Sequence, residues 1–127
     1  MEAFCSTLAC TLVHGDLKPK NVRVRPGVSG IAILVLDWEM AGWAVPAADL
    51  ECYADLAVYG SVVNALGTRI SHRDIEMLAV YGKLFRLIAS VEWDSQWLST
   101  KWVEQPMINL RLYRERLGQL LDGEVWQ

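Results

Sequence analysis

The chain has 127 residues, a one-domain length that can bury roughly two thirds of the surface its unfolded form exposes. Hydrophobic residues make up 53% and charged residues 21%, a balance that leans apolar for a soluble domain. The formal net charge of −3 and a pI near 5.3 provide no basic stripe to displace counterions, so no nucleic-acid partner is expected.

The first stretch, Ala3 to Val13, is apolar, but Glu2 stands where a signal peptide would carry positive charge. It reads as the end of a helix entering a loop. No apolar run reaches the roughly 18 residues of a membrane span, so no membrane partner is expected either. Cys5, Cys10 and Cys52 have neither metal-knuckle nor Cys-x-x-Cys spacing and are expected to be reduced, buried small hydrophobes in a cytoplasmic protein.

The run His14-Gly15-Asp16-Leu17-Lys18-Pro19-Lys20-Asn21 follows. Pro19 keeps it from being a regular helix. Val22 to Arg25 and Ile31 to Leu36 are predicted to form a hairpin turning at Pro26 to Gly30, with Ile31 to Leu36 a buried strand. That hairpin returns Asp37 to Asn21. Phosphoryl transfer needs a carboxylate for the acceptor hydroxyl and hard oxygen ligands for magnesium, and Asp16, Asn21 and Asp37 supply those groups.

Asp37 to Pro46 is predicted as a loop, with Trp38 packed in the core and Glu39 facing solvent, reach to the metal being its alternative. A helix is expected from Ala47 through Leu50, Tyr53, Ala54, Ala57, Val58, Val62 and Val63 to Leu66, with Gly67 as terminator. Ser71 with Asp74 reads as a capping box, opening a helix whose apolar face is Ile75, Leu78, Ala79, Phe85 and Ile88. A last helix is expected from about Met107 to Leu121, closed by Gly123, with Arg111, Arg114 and Arg116 on its solvated face.

His-Gly-Asp-Leu-x-x-x-Asn, a hydrophobic strand, Asp-Trp-Glu-x-Ala-Gly and then Pro-x-x-Asp-Leu, all between His14 and Leu50, resemble the catalytic and metal-binding loops of the aminoglycoside phosphotransferase and choline kinase group. The resemblance implies a protein-kinase-like fold. It makes Asp16 the catalytic base, Lys18 a cation for the transferring phosphoryl group, and Asn21 and Asp37 the ligands of magnesium and nucleotide. His14 would brace the loop, and Asp49 would bind its backbone amides. The cofactors implied are Mg2+ and ATP, and the substrate a small-molecule hydroxyl acceptor.

Such kinases place a nucleotide-covering lobe before the catalytic loop. Here only fifteen residues precede Asp16, with no Lys, Arg or Gly-rich turn among them. The expected fold is therefore mainly α with a small β-hairpin (α+β): a C-terminal helical lobe, 1–46 carrying the loops and 47–127 the helices, with the N-terminal lobe absent. The expectation is either a truncated or split gene product or a missing half supplied by a separately encoded chain, with the lobe alone inactive.

The alternative is a non-catalytic kinase-like remnant that binds a partner chain. Metal-assisted hydrolysis is a third reading, but no second ligand cluster supports a two-metal site. Trp93, Trp97 and Trp102, beside Glu92 and Asp94, lie in a region that the resemblance assigns to the acceptor pocket. Aromatic faces with carboxylates suit a cationic or amphipathic acceptor; simple packing of Trp93 on Trp97 is the other reading. His72 reads as a first-turn surface residue.

Overall fold

The structure, a computed structural model, describes residues 2–51 and 55–123. Helix α1 (Glu2–Cys5) leads to strand β1 (Thr11–Val13), and a 3-10 turn at Pro19–Asn21 leads to β2 (Val22–Gly27) and β3 (Gly30–Val35). A second 3-10 turn at Trp38–Met40 precedes β4 (Gly42–Ala44) and the helices α2 (Ala47–Leu50), α3 (Leu56–Ala65), α4 (His72–Ser95) and α5 (Glu104–Asp122). The architecture is mainly α with a small antiparallel β part.

Helix α4 organises the core, because α2, α3 and α5 all pack on it. Ile75, Leu78 and Ala79 recur at helical spacing on one face and are buried against Ala47 and Leu50 of α2, with Phe4, Leu8, Leu56, Tyr59 and Ile70 around them. Ser71 caps α4: its hydroxyl accepts from the Asp74 N–H at 3.1 Å and donates to the Asp74 carboxylate at 2.6 Å. Gly82 lets α2 approach α4, since a Cβ there would sit 1.9 Å from the Ala47 carbonyl oxygen.

Two strand pairs frame the loop from His14 to Asn21. β2 and β3 form the predicted hairpin in a register from Val22 opposite Val35 to Gly27 opposite Gly30. β1 pairs antiparallel with β4, Thr11 opposite Ala44 and Val13 opposite Gly42.

Several expectations are corrected. The N-terminal stretch is helical only to Cys5 and then becomes strand β1, while the loop expected between Asp37 and Pro46 contributes its partner β4. Three-residue strands carry no periodicity to read; they exist because each finds the other across the fold. The strand Ile31 to Leu36 forms but is not buried, with Ile31 77% and Ile33 65% exposed. A two-stranded ribbon has two faces, and the helices pack on α4 instead.

The helix expected from Ala47 to Leu66 is two helices, because the Asp55 carboxylate accepts from the N–H groups of Ala57 and Val58, both at 3.0 Å, and starts α3 anew. Tyr53, Ala54 and Cys52 lie outside the described residues. Cys5 is half-buried and Cys10 exposed, so neither is the buried hydrophobe expected. Phe85 and Ile88 are about half exposed, so the core face of α4 ends near Gly82. The last helix begins three residues earlier than expected, at Glu104, with Pro106 in its first turn, where a missing N–H costs nothing.

Candidate functional site

The loop between β1 and β2 is held from behind by Asp49 of α2. Its carboxylate accepts from the His14 N–H at 2.6 Å and the Gly15 N–H at 2.9 Å, tying two residues before Asp16 to the helical layer. Gly15 has φ +79°, and a Cβ there would lie 2.5 Å from the Met40 carbonyl oxygen, so only glycine fits. His14 is buried. Its Nδ1 accepts from the Asp16 N–H at 3.2 Å, which leaves Nε2 protonated to donate to the Leu36 carbonyl at 2.8 Å.

Leu36 is thus gripped from both sides, since its own N–H donates to the Asn21 carbonyl at 2.8 Å. These two bonds bring the end of β3, and with it Asp37, beside the loop of Asp16 and Asn21. Asp37 has φ +69°, the one non-glycine residue in left-handed geometry among the described residues. Aspartate tolerates that geometry better than most side chains. Trp38 is not core: it is 47% exposed, meets His14 ring to ring at a tilt of 59° with centroids 4.8 Å apart, and donates Nε1–H to the Val35 carbonyl. Glu39 is exposed.

Asp16 sits at the centre of a charged cluster. Lys18 Nζ lies 2.7 Å and Arg86 2.6 Å from its Oδ1, while Oδ2 meets Asn21 Nδ2 at 3.2 Å and the exposed Lys20 at 3.5 Å. Burial raises the Asp16 pKa, but the bonds and charges of Lys18 and Arg86 outweigh it and hold the carboxyl at about 2. Asn21 is buried and also donates to the Asp16 backbone carbonyl at 3.0 Å, which turns its amide oxygen away from Asp16.

Arg86 was not a sequence candidate. From α4 it also donates to the Gly15 carbonyl at 3.1 Å and the Ala48 carbonyl at 3.4 Å. Its Nε lies 2.6 Å from Glu51, though that N–H does not point along the contact. Its side chain is only 18% exposed. The signal was present: Ile75, Leu78, Ala79, Gly82 and Arg86 form one helical stripe, and a guanidinium continuing a core stripe requires buried acids.

Beside this cluster, between α4 and α5, lies a cavity of about 670 Å3 lined by Lys18, Glu51, Lys83, Arg86, Arg116 and Gln119, among others. Trp93, Trp97 and Trp102 are at least 45% exposed and line neither this cavity nor the apolar one of about 710 Å3 between β1 and α3. The tryptophans read from the sequence as an acceptor surface thus line neither cavity, and Trp93 and Trp97 are exposed rather than a core pair. His72 is exposed and pairs with Glu76 at 3.4 Å.

Asn21 Oδ1 and the Asp37 carboxylate have no hydrogen bond or ion pair among the described residues. No group of three or more His, Cys, Asp or Glu capable of holding a metal occurs among those residues. Two hard oxygen donors without a full protein cage fit magnesium, which keeps waters and substrate phosphates in its shell. Among the described residues, no helix is long and apolar enough to cross a membrane.

No curated protein and no solved structure matches the chain at a significant level. The model of the phosphotransferase enzyme family matches residues 6–93, a span holding the loop, the hairpin, Asp49 and Arg86. The chain belongs to that phosphotransferase family.

Proposed function

We propose that this chain is the catalytic lobe of an ATP-dependent phosphotransferase acting on the hydroxyl of a small molecule. The observation that carries the reading is the cluster at Asp16, a carboxylate fixed by Lys18, Arg86 and Asn21 within a loop bonded to Leu36, next to Asp37. Asp16 orients the acceptor hydroxyl. As its oxygen bonds to the γ-phosphorus, the bond to the β-phosphate oxygen breaks with its electron pair leaving on ADP, and the hydroxyl proton passes to Asp16 and then to solvent.

A carboxylate with a pKa of about 2 is a weak base. That suits a loose transition state, in which the proton moves late and alignment matters more than basicity. Lys18, 39% exposed, can turn from Asp16 toward the phosphoryl oxygens. Asn21 and Asp37 would hold magnesium, which neutralises phosphate charge when bound. The same reading assigns the exposed hairpin, with Ile31 and Ile33 outward, to contact with a nucleotide-covering lobe.

That open hairpin also favours a second reading, a non-catalytic kinase-like module that binds its partner there. Turnover separates the two. The assay is transfer from Mg-ATP to a panel of hydroxylated acceptors, with and without a separately encoded nucleotide-covering chain. Asp16→Asn is expected to lower kcat at least about a hundredfold. Full turnover in that variant would remove Asp16 from the chemistry, and no turnover under any condition would leave the module reading. Calorimetry of Mg-nucleotide binding to Asp37→Ala checks the metal assignment, with weakened affinity expected.

A further inference from the structure

The cavity between α4 and α5 carries a charge imbalance. Four cations line it, Lys18, Lys83, Arg86 and Arg116, against one acid, Glu51. Lys18 and Arg86 are neutralised by Asp16 and Glu51. Lys83 from α4 and Arg116 from α5 form no ion pair with any described residue. Two uncompensated positive charges thus face one concave space from opposite walls. Gln119 adds a neutral hydrogen-bonding side chain.

This space adjoins the candidate base. It reaches the candidate base through Lys18 and Arg86, both in contact with Asp16 Oδ1, whereas Asn21 and Asp37 do not line it. A nucleotide held by those two oxygens would leave it free. Like-charged ligands are repelled from such a cavity, and a compact dianion is matched by charge and by the planar donors of Arg116.

We infer that the cavity binds the phosphate group of a hydroxylated organic phosphate through Lys83 and Arg116, and that this anion positions the acceptor hydroxyl at Asp16. The inference rests on the phosphotransferase reading for the hydroxyl, but the anion site stands on its own charges. It predicts an acceptor class opposite in charge to the cationic one that the tryptophan-rich segment suggested.

The test is equilibrium binding to the full chain by calorimetry at low ionic strength, without nucleotide, using glycerol 3-phosphate, malate, glycerol and choline. Glycerol 3-phosphate is expected to bind, with the other three at least about tenfold weaker. In the double variant Lys83→Gln/Arg116→Gln, affinity for glycerol 3-phosphate should fall at least about tenfold. Both residues are exposed, and circular dichroism checks that the variant is folded. Arg111→Gln, an exposed α5 cation outside the cavity, should bind as the parent does.

Equal or tighter binding of choline, glycerol or malate, or unchanged affinity in the double variant, overturns the inference. Phosphate-ester binding that depends on Lys83 and Arg116 in a chain that never transfers phosphate from ATP would sink the kinase reading alone. Transfer to a cationic acceptor with KM unaffected by the double variant would sink the anion site alone.

Discussion

Removing Arg86 should cost far more than a surface ion pair would, and the loss should be recoverable by a second substitution. In Arg86→Met, the Glu51 carboxylate, 10% exposed, loses its cation and stays desolvated. The Gly15 carbonyl, bonded at 3.1 Å, loses a charged donor. Stranding one member of a well-buried pair costs 3–5 kcal/mol, and an unmet polar group about 1–3. Because the Arg86 Nε–H is not aligned with Glu51 and Asp16 keeps Lys18 at 2.7 Å, the lower end applies, about 3 kcal/mol.

That is a large part of the 5–15 kcal/mol typical of a domain. Urea unfolding should show the loss as a lower midpoint at unchanged slope. In Arg86→Met/Glu51→Gln no charge is stranded, and the deficit should shrink to about 1 kcal/mol, a strongly non-additive cycle. An Arg86→Met loss below about 1 kcal/mol, or additive losses, would refute the claim that Arg86 is the electrostatic pin of the loop.

Two further outcomes are expected. Gly82→Ala should destabilise by about 2 kcal/mol despite the better helix propensity of alanine, because the new Cβ meets the Ala47 carbonyl oxygen at 1.9 Å. Gly118→Ala, with open space around it, should be neutral or stabilising; equal melting temperatures for the two variants would contradict that account. The second concerns acid. The folded pKa of Asp16, about 2, lies below the ordinary value near 3.9, so its contribution is fully present above about pH 4 and is lost as pH falls toward about 2. The stability gap between the parent and Asp16→Asn, read by urea unfolding from pH 5 to 2, should close in that window; a constant gap would exclude an ionised Asp16 as the source.

Much of this protein could be read without coordinates because its strongest signals are local. The helix after Ser71, the hairpin around Gly27 to Gly30 and the order of His14, Asp16, Asn21, Asp37 and Asp49 depend on spacing, caps and turn residues close in the chain. The match to the phosphotransferase family model, over residues 6–93, spans all five of those residues. Asp55 was the exception among caps: its apolar surroundings continued the helical pattern, and only its bonds to Ala57 and Val58 mark the break.

The tertiary structure decided what distance in sequence conceals. Strands β1 and β4 exist only through each other, 33 residues apart at Thr11 and Ala44. Arg86, 70 residues from Asp16, became its partner because α4 carries one stripe past both the core and the loop. The exposed hairpin and the cation-lined cavity follow from where helices pack, a cooperative outcome that no window of residues encodes. The sequence by itself determined the order and spacing of the groups proposed for phosphoryl transfer; the fold determined which charges surround them, because electrostatic environment is a property of neighbours in space.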